Sequence, residues 1–211
     1  MNPVFSLVKS DYIKLLALKR TMLLFAVASL VFSVIPILFS AGIIISVYAA
    51  VFSVLSYDQA SSVHHFYCAL PVNRSQIYNS SYLFGFSLLF FLSAVMGLVA
   101  WLSSFFTPPD FTAGGLAINI LLGIGVGIIY LSIMLPFNLC LGTQKARIVN
   151  ILFYVGFFIF TMNHRDVLLG IALYLSELPF YLAFLPVLLL LFLFYFLGLI
   201  IYNKKEFKEE S

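Results

Sequence analysis

Charge is what this chain has least of. Only 9% of its 211 residues are Asp, Glu, Lys or Arg, against about 25% in a soluble domain. None of the four occurs in 21–57, 75–109, 111–144, 148–164 or 178–203. One charge at a bilayer centre costs roughly 2.5–3.5 kcal/mol on insertion scales. Stretches this long and this clean are membrane helices, not soluble core. Cysteine is scarce as well: Cys68 and Cys140 give no disulfide framework.

Motifs for catalysis are missing too. There is no GxxxxGK[ST], no H-E-x-x-H, no G-x-S-x-G and no acid pair within an apolar stretch. ATP therefore has no P-loop here, and a membrane enzyme is not expected. No apolar stretch holds an ionisable residue, which argues against a proton-driven carrier. A sodium site built from backbone carbonyls stays open. Energy for uphill movement is expected from another subunit.

What is present is apolar. The chain is 63% hydrophobic and 18% aromatic, with a mean hydropathy of +1.11. Its net charge of +3 is small and follows from topology, so it gives no reason to expect nucleic acid. The length accommodates about six spans and little else, so 1–211 is read as one transmembrane domain. Lys9, Lys14, Lys19 and Arg20 stand in the first twenty residues without a small-residue cleavage site. A cleavable signal peptide is therefore not expected.

The stretch 21–56 would be about 54 Å long as one helix, far beyond a ~30 Å hydrocarbon core. Two short spans fit instead, turning near Ser40-Ala41-Gly42. Further spans are expected at 77–106, 114–141, 148–162 and 180–202. The apolar stretch 167–176 is too short to cross and reads as interfacial or re-entrant. Charge supports this count. With a cytosolic N-terminus, six spans place Lys9, Lys14, Lys19, Arg20, Arg74, Lys145, Arg147, Lys204, Lys205 and Lys208 inside and only Arg165 outside. A single span in place of the first hairpin would leave five basic residues inside and six outside. The expected fold is thus all-α, multi-pass in the plasma membrane, with both termini cytosolic. Pro108-Pro109-Asp110 and 163–179 are then external, and 143–147 is a tight internal turn.

Two segments outside the spans could carry function. Residues 1–20 read as an amphipathic helix lying in the membrane plane, with Asn2 as cap and Pro3 in its first turn. Val4, Phe5, Val8, Tyr12, Leu15 and Leu16 share one face, and Ser6, Lys9, Ser10 and Lys14 another. Lysines beside an apolar stripe suit an anionic inner leaflet.

The second segment is 57–76. Asp58 is placed to start a short helix on which Val63, Phe66, Tyr67 and Leu70 form one apolar face. Pro71 ends it. Asn73 then caps the next span, with Gln76 as its capping-box partner. Spacing alone leaves this helix either on a partner or on lipid. His64 and His65 do not converge on a metal site, which needs three or four ligands; they read as the helix's polar face. Gly123 and Gly127, in a Gly-x-Gly-x-Gly run inside a span, are read as a close-packing surface rather than a phosphate loop. Pro36, Pro136 and Pro186 are expected to kink their spans.

Three stretches together resemble the permease subunits of type-2 ABC exporters. Leu7-Val8-Lys9-Ser10-Asp11 is similar to their Leu-x-Lys-x-Asp opening. Tyr57-Asp58 followed by Leu70-Pro71-Val72-Asn73-Arg74 resembles their acidic residue, short helix and Leu-Pro-Val-Ser-Arg step. Gly142-Thr143-Gln144-Lys145-Ala146-Arg147 is similar to their Gly-Thr-Glu-Lys-Ala-Arg turn. Asn73 and Gln144 depart from that pattern, as do Ser80-Ser81, where a Lys often precedes the Tyr. The resemblance covers almost the whole chain.

The resemblance implies that the helix after the second span is a coupling helix in a groove of a separate ATPase. Asp58, His64, His65, Phe66, Tyr67, Leu70 and Arg74 would then contact that ATPase, and Lys145 and Arg147 would mark the inner turn. ATP and Mg would be bound by the partner, and this chain would hold no cofactor. A second permease copy or a sister permease is implied, along with the bilayer. Among such permeases the chain looks most like the phenol-soluble modulin exporter subunits of Gram-positive bacteria, so an amphipathic or antimicrobial peptide is the expected cargo, with lipid, antibiotic or polysaccharide as the alternatives. The competing classes are a stand-alone carrier and a membrane scaffold or immunity protein that sequesters a peptide.

Overall fold

The computed structural model of the chain describes residues 3–18, 39–61, 72–103, 113–142, 145–152 and 180–204, with the single positions 27 and 31. All regular structure among the described residues is helical. We number the helices α1 (Pro3–Ala17), α2 (Phe39–Ala60), α3 (Arg74–Ser103), α4 (Ala113–Leu141) and α5 (Phe180–Lys204); residues 145–152 are also helical. Helices α2 to α5 are each long and apolar enough to cross a membrane. The expected first span, most of the fifth and the external segments lie outside the described residues.

The ends of α3, α4 and α5 fall close to the expected span limits. The second span does not. Helix α2 is continuous from Phe39 through Ser40, Ala41 and Gly42, so the hairpin does not turn there. Three small residues permit a turn without requiring one. Gly42 is buried, and in lipid every backbone group gains from staying in the helix.

Helix α3 has 29 residues in its membrane-compatible stretch, about 44 Å at 1.5 Å per residue. That exceeds a ~30 Å core. Its first turns carry Arg74, Ser75, Gln76, Asn79, Ser80 and Ser81, so the surplus length belongs at that end. One half of the expected capping box, the Gln76 side chain on Asn73 N–H, is present there. Asn73 accepts Gln76 N–H on its carbonyl at 2.9 Å, and the Gln76 side chain accepts Asn73 N–H at 2.9 Å. Two otherwise orphaned donors are thereby satisfied.

The chain forms two compact units, 1–131 and 132–211. In the first, α3 packs against both α1 and α2, and α1 also touches α2. Helix α4 joins them through glycine. A Cβ on Gly127 would lie 2.6 Å from Leu89 Cδ1, and one on Gly97 would lie 2.8 Å from Ile120 Cδ1. As residue numbers fall along α4 they rise along α3, so the two helices run antiparallel. Each glycine lets a side chain of the other helix approach its backbone, the packing expected where apolar burial gives helices no preference for one another over lipid. Gly123 is buried as well. Tyr48 of α2 meets Tyr130 of α4 edge to face, centroids 5.5 Å apart.

In the second unit, α4 ends at Gly142, whose φ of 79° is a left-handed conformation that glycine adopts without Cβ strain. Its N–H returns to Asn138 O at 3.1 Å, and its carbonyl accepts Ala146 N–H at 3.0 Å. The weak Cys140 thiol donor points to Gly198 O of α5 at 3.8 Å. Pro136 and Pro186 lie within continuous helices. Proline at 136 cannot donate to the carbonyl of Ser132, and the two units divide between Leu131 and Ser132.

Candidate functional site

Helix α1 does not lie with one apolar stripe toward lipid. It buries Leu7, Val8, Asp11 and Leu15, while Phe5, Ile13 and Leu16 are exposed. The apolar arc read from the sequence is therefore split: Val8 and Leu15 face the bundle, whereas Phe5 and Leu16 face away. The physical reason is that the buried stripe contains charge. Asp11 and Lys14 sit on the inner side because an acid on α2 meets them there.

That acid is Asp58. It was expected to open a new helix, since carboxylates favour helix N-termini. It stands instead in the last turn of α2 and is 7% exposed. At a helix C-terminus a carboxylate faces the negative end of the dipole and needs a cation. Lys14 supplies it. The Lys14 Nζ lies 2.7 Å from Asp58 Oδ1 and donates to Oδ2 at 2.9 Å. It also donates to Asp11 Oδ1 at 2.9 Å, one turn back on α1. Lys14 is itself in the last turn of α1, where a cation is favoured. Burial pushes the Asp11 carboxyl up to about 6; Lys14 opposes that rise and the Asp58 charge adds to it.

A second contact seats α1 beside this triad. The Tyr12 ring meets Phe84 edge to face at 5.1 Å, and its hydroxyl is 2.8 Å from Ser87 Oγ. Ser87 Oγ donates to Phe84 O at 2.9 Å, so its one proton is committed and Tyr12 is the donor of the pair. Further up α3, Tyr78 donates to the Tyr82 hydroxyl at 3.2 Å, and Tyr78 is fully buried. Helix α1 thus meets the end of α2 through Lys14 and the middle of α3 through Tyr12.

The expected ATPase contacts divide in three. Asp58 is turned inward onto Lys14. Arg74 is exposed at the start of α3. His64, His65, Phe66, Tyr67 and Leu70 lie outside the described residues. Lys145 and Arg147, expected in a turn, stand in the first turn of the helix 145–152. Both are exposed on either side of the buried Ala146. No group of three or more His, Cys, Asp or Glu side chains able to hold a metal ion occurs among the described residues.

Sequence reasoning missed the triad. It placed Lys14 on the solvent or lipid face and gave no role to its pairing with Asp58. The available signal was an isolated acid at the end of an otherwise uncharged 37-residue stretch, which requires a cation from elsewhere if it is buried.

The profile of a family described as ABC-2 family transporter protein matches residues 6–203. The matched stretch takes in the triad, the 57–76 segment and the basic pair at 145 and 147. No curated protein and no solved structure matches the chain.

Proposed function

The chain belongs to the ABC-2 transporter family, and we propose that it forms the membrane path of an ATP-driven exporter of amphipathic peptides. Family membership makes it a membrane permease subunit of an ABC exporter, working with a partner ATPase. The observation that carries this is the match over 6–203, nearly the whole chain. The finer reading is as follows. The chain crosses the membrane six times with both termini in the cytosol. ATP hydrolysis occurs in the partner, since no P-loop is present here. Residues 62–71 dock on that ATPase through Phe66, Tyr67 and Leu70, and Arg74, Lys145 and Arg147 present charge on the same side. Two permease subunits, identical or sister chains, complete the complex.

Helix α1 lies at the inner leaflet. Its exposed Phe5, Ile13 and Leu16 with Lys9 suit the acyl–headgroup boundary of an anionic membrane. Peptide cargo rests on the resemblance to phenol-soluble modulin exporter subunits alone.

Energy source tests the proposal. In cells, collapsing the proton gradient at constant ATP leaves peptide export largely intact. Replacing the P-loop lysine of the partner ATPase abolishes it. Export that survives loss of the ATPase but stops with the gradient would point to a stand-alone carrier. Resistance to the peptide without efflux would point to sequestration.

A further inference from the structure

The three charged groups of the triad are not a surface network. Their side chains are 9% (Asp11), 13% (Lys14) and 10% (Asp58) exposed. A buried charge group of this kind is poor evidence for net stability, because desolvation offsets its attraction. Removing one member is different, since it leaves the others buried and uncompensated. The group is therefore more effective at fixing a geometry than at holding the fold together. What it fixes is the last turn of α2. Asp58 is followed in that helix by Gln59 and Ala60 only, and Ser61 closes it by donating its N–H to Tyr57 O at 3.0 Å. The chain then enters 62–71, the stretch assigned above to ATPase docking. Of the three groups, Lys14 alone bonds to both helices.

We infer that Lys14 is a positioning residue for coupling: by clamping Asp58 to α1, it makes the end of α2 and the whole of α1 respond as one body when the docking segment moves. Without the clamp, displacement at 62–71 is absorbed in the last turn of α2, whose backbone bonds end there. With it, the displacement reaches α3 through Tyr12, Phe84 and Ser87. This inference rests on the docking assignment of the preceding section.

Two measurements on the full chain separate the inference from the assignment. The first uses the permease alone, in a background where Cys68 and Cys140 are Ser. Spin labels at the exposed Ser6 and Ser61 report the α1–α2 distance distribution. It stays narrow with Lys14 or Lys14→Arg, and broadens with Lys14→Met or Asp58→Asn. The second uses the permease with its co-purifying ATPase in liposomes. Lys14→Met is expected to keep the ATPase bound and the KM for ATP unchanged, while permease-dependent turnover falls about fivefold or more. Lys14→Arg restores turnover. Should Lys14→Met fold poorly, Asp58→Asn, which keeps shape and the Lys14–Asp11 pair, is expected to give the same fall. An unaltered distance distribution with unaltered turnover in both variants would overturn the inference. Failure of the unsubstituted chain to bind an ATPase would instead overturn the docking assignment.

Discussion

The Tyr12 hydroxyl donates to Ser87 Oγ at 2.8 Å, joining residues 75 positions apart. Ser87 is 13 residues beyond Arg74, the first residue of α3. Helix α1 is thus seated well along α3 rather than at its tip. The hydroxyl and the ring of Tyr12 contribute separately to this seat.

Their separation is measurable. Tyr12→Phe removes one hydrogen bond and leaves Ser87 bonded to Phe84 O, so it costs about 0.5–1.5 kcal/mol. Tyr12→Ala also loses the edge-to-face contact with Phe84, worth about 0.5–1.5 kcal/mol beyond the apolar area it buries. Thermal unfolding in detergent is expected to rank the native chain above Tyr12→Phe and Tyr12→Phe above Tyr12→Ala. Equal effects of the two substitutions would contradict the assigned roles.

The α3–α4 contact makes a prediction that depends on a pair. Gly127→Leu forces its side chain into Leu89, whose Cδ1 lies 2.6 Å from the site of a Cβ. Overpacking of this kind costs about 1–3 kcal/mol. The double variant Gly127→Leu/Leu89→Ala is expected to recover part of that loss, because the methyl groups in the way are gone. Losses that simply add in the double variant would show that the two residues do not meet.

Acidity supplies a third test. Asp11 has its carboxyl raised from 3.8 to about 6, chiefly by burial. The folded state then holds a proton that the unfolded state has released. The associated stability is fully present below about pH 3.8 and is lost as pH rises through about 6. Asp11→Asn cannot ionise, so its unfolding temperature is expected to decline less than that of the native chain between those values. Identical profiles for the two proteins would contradict the burial of an ionising Asp11.

The spans were legible because lipid permits few alternatives. A run of uncharged residues bounded by Lys, Arg or Pro has to be a helix of about the bilayer thickness, and α4 and α5 begin and end within two residues of the positions read from the sequence. The Gln76 side-chain bond to Asn73 N–H was legible for a similar reason: both partners are local. The triad was not. Periodicity along α1 reports which residues share a face, but not that Lys14 meets an acid 44 positions away. Local preference placed Asp58 at a helix start, and tertiary contact with Lys14 placed it at a helix end. The turn near Ser40 failed differently, since small residues allow a break that nothing there compels. Lys145 and Arg147 were read as turn because glycine precedes them, and Gly142 does end α4. The following helix, however, starts within three residues.

Topology is tested at Asp110, expected outside, and at Lys145, expected inside. Cysteines placed at Asp110 and Lys145, in a background without Cys68 and Cys140, are expected to react with a membrane-impermeant maleimide from opposite sides. Lys145→Cys reacts only from the cytosolic side. Reaction of both from one side would contradict the six-span arrangement.

The central claim is that this permease works through a separate ATPase docked on 62–71. Native mass spectrometry of the complex, purified in detergent through a tag on this chain, tests it most directly. The account predicts an ATPase in the native complex, and its loss when Phe66 and Tyr67 are both replaced by Asp while the permease stays folded. An active permease isolated without any ATPase, or a double variant that keeps both its ATPase and full export, would contradict it.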